Sequence, residues 1–257
     1  MLQVHSWSCP ERGRATLEAV TSFPLTASFS KALELAASWH HGQFRKVPEG
    51  EQAVIPYLSH ILGVASIALE YGASEDEAIA ALLHDALEDG PGNTGRSAAD
   101  LRGEIVQAFG DRGEFIAHLV DGATDDTPGA DGVKRPWADR KRAYLWKLGY
   151  KDAASLLVSA SDKLHNARTI LADVMLLEPG EREGYFRRFS QGQGGTLQYY
   201  RLLADTYLKA PAGEASPRLR ALFRELDRTV SGLEEACGLT ASKVRDLPPL
   251  RGVVAQT

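Results

Sequence analysis

Cysteine is nearly absent from this chain. Only Cys9 and Cys237 occur among 257 residues, far apart and with no CxxC pair. That excludes a thiolate zinc cluster and a disulfide framework, and it suits a reducing compartment. No apolar run approaches the length of a membrane span, and the N-terminus lacks the apolar core of a signal peptide. The formal net charge of −5 gives no general attraction to nucleic acid or to an anionic membrane. Period-2 strand patterns and hairpin turns are scarce, and no internal repeat or low-complexity segment occurs. These absences predict a soluble, cytoplasmic, all-α protein with neither a nucleic-acid nor a membrane partner. They leave a homo-oligomer open.

What is present reads as helices. Hydrophobic content of 44% and charged content of 25% are ordinary for a globular protein, and the length allows a substantial core. Residues 1–25 have mixed character and no clear period. Residues 26–209 read as one helical domain, and 210–257 as a further helical extension. Thr26 or Ser28 can cap a first helix through His40. Pro56 suits the start of a second, which places His60 in its first turns. Ser74-Glu-Asp-Glu77 is a capping box, and Ser97 can cap a helix stopped by Gly110. Gly90–Gly95 and Asp121–Pro136 read as loops. Further helices are expected over Trp137–Leu148, around Ala153–Arg168, and over Gly184–Phe189, Leu197–Leu208 and Pro217–Cys237. The total is about ten.

The stretch Ala78–Asp89 organises the reading. Small and apolar residues run straight into His84-Asp85, with Glu88-Asp89 three and four positions later. As one buried helix, this would stack His84 under Glu88 and crowd three carboxylates and an imidazole at its last turn. Buried charges of one sign must be protonated, paired or bound to a cation. A divalent metal answers that need; a helix emerging into water with Glu88 and Asp89 solvated is the plain alternative. Asp162 repeats the logic, arriving after the apolar run Ala153–Ala160. His60, His84, Asp85 and Asp162 then form a mixed N/O set suited to Mn²⁺, Fe²⁺ or Zn²⁺.

These residues resemble the HD superfamily of metal-dependent phosphohydrolases. More narrowly, they resemble the hydrolase domain of RelA/SpoT-type alarmone enzymes and the stand-alone small alarmone hydrolases. The fragments that carry the likeness are His40-x-x-Gln43-x-Arg45-Lys46, Pro56-Tyr57-x-x-His60-x-x-x-Val64-Ala65 and Ala80-Ala-Leu-Leu-His-Asp-x-x-Glu-Asp89. They continue with Phe109-Gly110, Val120-x-x-x-Thr124-Asp-Asp126 and Asp162-Lys-Leu-His-Asn166-x-Arg168. The likeness covers roughly residues 28–172, more faintly to about 205, and leaves no room after that for a nucleotidyltransferase half.

The resemblance implies an HD-domain helical bundle around one Mn²⁺ per chain, held by His60, His84, Asp85 and Asp162. It implies that Glu88 and Asp89 handle the attacking water and the leaving group. Arg45 and Lys46 match a basic pair at the nucleotide, Asn166 faces the nucleoside, and Thr169 occupies another pocket position. The implied reaction removes the 3′-pyrophosphate from ppGpp or pppGpp, leaving GDP or GTP. The alternatives are a phosphatase or phosphodiesterase acting on another nucleotide, such as the 2′-phosphate of NADPH, and a catalytically silent nucleotide sensor. Intact Glu88-Asp89 argues against the sensor.

Other residues have plainer readings. His40 is expected to pack or hydrogen-bond, and His118 and His165 to lie at the surface or behind the ligands. Arg168 fits a structural ion pair or a phosphate contact equally. Tyr199, Tyr200, Trp137 and Trp146 are expected to pack against the core. The chain departs from the pattern at Ile61, where Pro is usual, at Ser159 and Ser161, at Gly90, where Thr is frequent, and in a long Pro128–Pro136 loop.

Overall fold

The computed structural model describes residues 24–47, 50–124 and 135–252; most of the expected 121–136 loop and of 1–25 thus lies outside the described residues, although 121–123 are helical and not loop. Among the described residues the chain is helical throughout, with one isolated antiparallel bridge, Phe44 to Pro56. The helices are α1 (Ala27–Trp39), α2 (Leu58–Glu70), α3 (Glu75–Leu83), α4 (Ala86–Thr94), α5 (Ala98–Phe109) and α6 (Gly113–Ala123). They continue as α7 (Trp137–Leu148), α8 (Ala153–Met175), α9 (Arg182–Tyr185), α10 (Gly192–Lys209), α11 (Pro211–Ala215), α12 (Pro217–Ala236) and α13 (Ala241–Arg245). Ten of the thirteen are nine residues or longer, in line with the expected number.

Local chemistry sets the helix starts. Thr26 accepts from the Ser28 amide, and Ser74 with Glu77, and Ser97 with Asp100, close reciprocal capping boxes. Asp152 caps α8 by accepting from the Ser155 amide. Helix α3 is buried on nearly every side. Its alanines Ala78, Ala80 and Ala81 let α1, α2, α6 and α8 approach closely. Helix α8, the longest, packs against α2, α3, α6 and α12 and forms the spine of the molecule.

Two expectations fail. The stretch 78–89 is not one helix: α3 ends at Leu83, His84 and Asp85 form a turn, and α4 begins at Ala86. Asp85 sits at φ −96°, ψ 1°, outside helical values, so Glu88 does not stack over His84 by simple i, i+4 geometry. Conversely, Gly90–Gly95 is not a loop. Helix α4 runs through Gly90 and Pro91 to Thr94 and closes on left-handed Gly95 at φ 71°. A β-carbon at Gly90 would lie 2.6 Å from Leu101 Cδ1, so close packing of α4 on α5 uses the missing side chain. That packing outweighs the single helical donor lost at Pro91.

The C-terminal part is bound to the rest by a buried ion cluster. Arg201 on α10 donates from Nε to Glu234 Oε1 at 2.8 Å, from Nη1 to Asp227 at 2.6 Å and from Nη2 to Ser231 at 3.0 Å, all on α12. Arg201 and Glu234 are both buried. The Gln198 amide, also on α10, holds the 245–250 segment through Leu247 O and the Leu250 amide. Removing one member of a buried pair strands the other charge. Arg201→Met is therefore expected to lower stability by about 3–5 kcal/mol in urea denaturation. A second change, Glu234→Leu, is expected to restore part of that loss; an unchanged midpoint in the single variant would deny the pair its role.

Candidate active site

Three elements deliver four donors to one buried point. Helix α2 brings His60, the turn between α3 and α4 brings His84 and Asp85, and α8 brings Asp162. His60 and His84 are 1% exposed and Asp162 is 5% exposed. His84 Nε2 lies 3.0 Å from Asp85 Oδ2 and 3.6 Å from Asp162 Oδ1; His60 Nε2 lies 3.6 Å and 3.2 Å from the same two oxygens. Despite these distances neither Nε2 atom has hydrogen-bond geometry to any partner. His60, His84 and Asp162 place their ligand atoms within 4.8 Å of one another, and Asp85 Oδ2 lies beside both nitrogens, an N/O arrangement that fits a divalent cation.

The outer contacts orient that set. His84 Nδ1 donates to Ala81 O at 2.9 Å, which turns the Nε2 lone pair inward. His60 Nδ1 lies 2.9 Å from His165 Nδ1. Burial, with the nearby His60 and Arg45, holds the His165 pKa down to about 4, so its ring is neutral and has one nitrogen free to accept from His60 in the tautomer that leaves His60 Nε2 unprotonated. Tyr57 donates to Asp85 Oδ2 at 2.5 Å. Asp162 accepts from Asn166 at 2.6 Å and from Lys163 at 2.5 Å. Burial opposes ionisation of both acids, yet both stay well below the usual carboxylate range. His84 and His60 hold Asp85 there, and the Lys163 ammonium and the two imidazoles hold Asp162. The same acids raise His84 against the effect of burial. The cluster thus favours positive charge at its centre.

A cavity of about 590 Å³ opens beside this point. Glu88, Asp89, Arg45, Lys46, Asn166 and Thr169, the remaining residues singled out by sequence, all line it. Arg45 sits on the short extended segment whose amide donates to Ile55 O, and its Nη2 donates to Asn166 Oδ1 at 2.9 Å. Asp89 accepts from Gln43 Nε2 at 2.7 Å, and Gln43 Oε1 in turn accepts from His40 Nδ1 at 2.7 Å and Asn93 at 2.6 Å. Thr169 Oγ1 is turned to its own helix, donating to His165 O at 3.0 Å.

The plainer residues separate cleanly. His40 hydrogen-bonds and stacks on Tyr57, as expected. His118 is exposed and pairs with Asp152, and Arg168 pairs with Glu225 at 3.5 Å away from the cavity lining. Tyr200 reaches the cavity wall, whereas Tyr199 packs edge-on to Trp137. Trp146 corrects its expectation: it is 56% exposed, against Tyr150, because it lies on the outer face of α7. Sequence reasoning gave no site role to Tyr57, Gln43, Lys163 or Arg188, although the first three stand in the matched fragments; His165 lies behind the ligand His60, one of the two places expected for it.

Gly63, one turn after His60, makes the His165 contact sterically feasible. A β-carbon there would fall 2.1 Å from His165 Nε2. His165→Phe keeps a flat ring but removes the acceptor, and Gly63→Ala displaces the ring. Both are expected to weaken divalent-metal binding by about 10–100-fold, read by calorimetry on metal-stripped protein. Equal affinity in wild type and both variants would reduce His165 to a packing residue.

Residues 32–178 match the HD domain family. A GTP pyrophosphokinase of Streptomyces antibioticus is 34% identical over 143 residues, covering 54% of this chain and 14% of that protein. A guanosine-3′,5′-bis(diphosphate) 3′-pyrophosphohydrolase of Xenopus tropicalis is 33% identical over 142 residues, covering 54% of this chain and 68% of that protein. The chain thus spans only a small part of the pyrophosphokinase it matches. Among solved structures, a metazoan ortholog of SpoT that hydrolyses ppGpp shares the fold, with a TM-score of 0.53 and 23% identity. That alignment covers 85% of this chain and 99% of the other. The family match takes in more than half of the sequence and all four donors of the buried cluster, and the chain belongs to the HD-domain family.

Proposed function

We propose that this chain is a Mn²⁺-dependent hydrolase that removes the 3′-pyrophosphate from guanosine 3′,5′-bis(diphosphate) or its 5′-triphosphate homologue, giving GDP or GTP. The observation that carries the reading is a single cavity. It is lined by Asp85 and Asp162, which lie against His60 and His84, by the acids Glu88 and Asp89 and by the basic wall of Arg45 and Lys46. The relatives named as pyrophosphohydrolases support the same reaction.

His60, His84, Asp85 and Asp162 would hold the cation. The chemistry supplied by a bound divalent cation is polarisation of a phosphoryl oxygen and acidification of water. In the reaction the bond between the ribose 3′ oxygen and phosphorus breaks, and the oxygen of water joins that phosphorus. One proton leaves the water and one arrives on the 3′ oxygen. Glu88 takes the first, orienting water at the cavity floor. Asp89 serves the 3′ oxygen, its carboxylate aimed by Gln43. Arg45 has a planar fork for phosphate and a face for a base, and Asn166 fixes that fork while also bonding Asp162. Lys46 adds charge, and Thr169 and Tyr200 border the nucleoside space.

The direct test is chromatography of products after incubating Mn²⁺-loaded protein with ppGpp, pppGpp, NADPH and deoxynucleotides. Release of pyrophosphate with GDP or GTP is the expected result. Turnover of NADPH or of deoxynucleotides alone would replace this substrate assignment. Glu88→Gln and Asp89→Asn are each expected to lower kcat by about 10²–10⁴-fold while metal and nucleotide still bind. Near-normal turnover in both would remove the acidic pair from the mechanism. Metal loss in Glu88→Gln would make Glu88 a ligand instead. Arg45→Lys is expected to raise KM, by an amount corresponding to about 1–2 kcal/mol, with metal content unchanged. Wild-type KM in that variant would place the base elsewhere.

A further inference from the structure

Helix α8 measures out the cavity. Asp162, Asn166, Thr169 and Asp173 all line it, at spacings of four, three and four residues that keep one helix face toward the space. With 1.5 Å of rise per residue, Asp173 stands about 16 Å along the helix from Asp162. The metal donors occupy one end of that face. The other end carries a group that none of the matched fragments contains.

That group is Arg188, from the turn after α9. Its Nη2 donates to Asp173 Oδ2 at 2.8 Å, and its Nη1 reaches the Lys46 carbonyl at 3.3 Å. The guanidinium lies 3.6 Å from the Tyr185 ring centroid. The side chain is only 9% exposed, lines the cavity, and leaves Nε buried without a partner. Arg45 is near enough to repel it, and Asp173 and Glu51 are the acids that offset its charge. A cation held rigid on an aromatic face, desolvated and crowded by a second guanidinium, is arranged to receive an anion.

We propose that Arg188 recognises a second phosphate group of the substrate, at the end of the nucleotide remote from the scissile bond. The cavity then selects a nucleoside phosphorylated on both sides over one that carries only the group to be removed. This deepens the nucleotide reading of the pocket and rests on it. The acid Asp173 sets the fork in place, and Tyr185 keeps its plane open to the cavity.

The test separates the two readings by equilibrium binding, without turnover. Calorimetry would compare guanosine with GDP, which adds only the remote diphosphate, on Mn²⁺-loaded wild type, Arg188→Gln and Arg188→Lys. Wild type is expected to bind GDP more tightly than guanosine. Arg188→Gln is expected to lose about tenfold or more in GDP affinity with guanosine affinity unchanged, and Arg188→Lys to lose less. In hydrolysis, kcat/KM should fall for ppGpp but not for guanosine 3′-diphosphate with a free 5′-hydroxyl. Equal losses for guanosine and GDP, or no loss for either, would make Arg188 a structural strap and overturn the assignment alone. Wild-type protein that binds neither ligand would overturn the nucleotide reading together with it.

Discussion

The structure depends on keeping two carboxylates ionised inside an apolar helical core. Asp85 and Asp162 turn toward a point bounded by α2, α3 and α8, where solvation by water is largely lost. Such charges persist only if opposite charge and hydrogen-bond donors surround them. Here the compensation has two sides. Tyr57, Asn166 and Lys163 donate to the two carboxylates, and the two imidazoles lie against Asp85 Oδ2 and Asp162 Oδ1, the oxygens that Tyr57 and Asn166 also reach. The small residues of α3 are part of the same solution, because they let the helices that carry these groups close to within contact. The break at His84–Asp85 completes it. Successive residues on an unbroken helix diverge by about 100°, whereas the turn lets two neighbours in sequence address one centre.

Tyr57 links this cluster to the rest of the cavity. Its hydroxyl holds Asp85, its ring stacks on His40 at 5.1 Å with the planes 28° apart, and Arg45 sits 5.9 Å from its centroid. His40 in turn orients Gln43, which holds Asp89. One aromatic residue thereby connects a proposed metal ligand, a proposed proton donor and the basic wall. The Phe44–Pro56 bridge and the Tyr57 amide bond to Gln43 O fix the two ends of this segment against each other. Displacing the segment would disturb all three groups together, which is why their chemistry cannot be assigned residue by residue from loop position alone.

Much of this was legible in the sequence, and for a physical reason. Acids and imidazoles placed at the ends of apolar helical runs are costly unless they share a partner, so His60, His84, Asp85 and Asp162 declare themselves locally. The helix break at residues 84–85 did not, because Ala-Leu-Leu-His-Asp-Ala-Leu-Glu contains neither Gly nor Pro, and the modest helix preference of His and Asp is no stop signal by itself. The opposite error arose at Gly90-Pro91, where strong local punctuation was overruled by contact with Leu101, a residue of another helix. Arg188 was invisible for the same reason. What it does depends on which distant group it meets, and Asp173 is not a neighbour that local periodicity reveals.

The positions at which the chain departs from the RelA/SpoT-type pattern carry the argument one step further. Ile61 replaces a usual Pro, is fully buried, and donates its amide to Tyr57 O at 3.3 Å, a bond Pro could not make. Ser159 accepts from Tyr207 at 3.0 Å, and Ser161 donates to Leu157 O at 2.8 Å, so both hydroxyls are absorbed by packing. Gly90 serves the contact between α4 and α5. None of these side chains lines the cavity. At these four positions the departure therefore serves how the helices pack. Tyr185 and Arg188, outside the fragments that carry the resemblance, build the cavity wall remote from the metal donors.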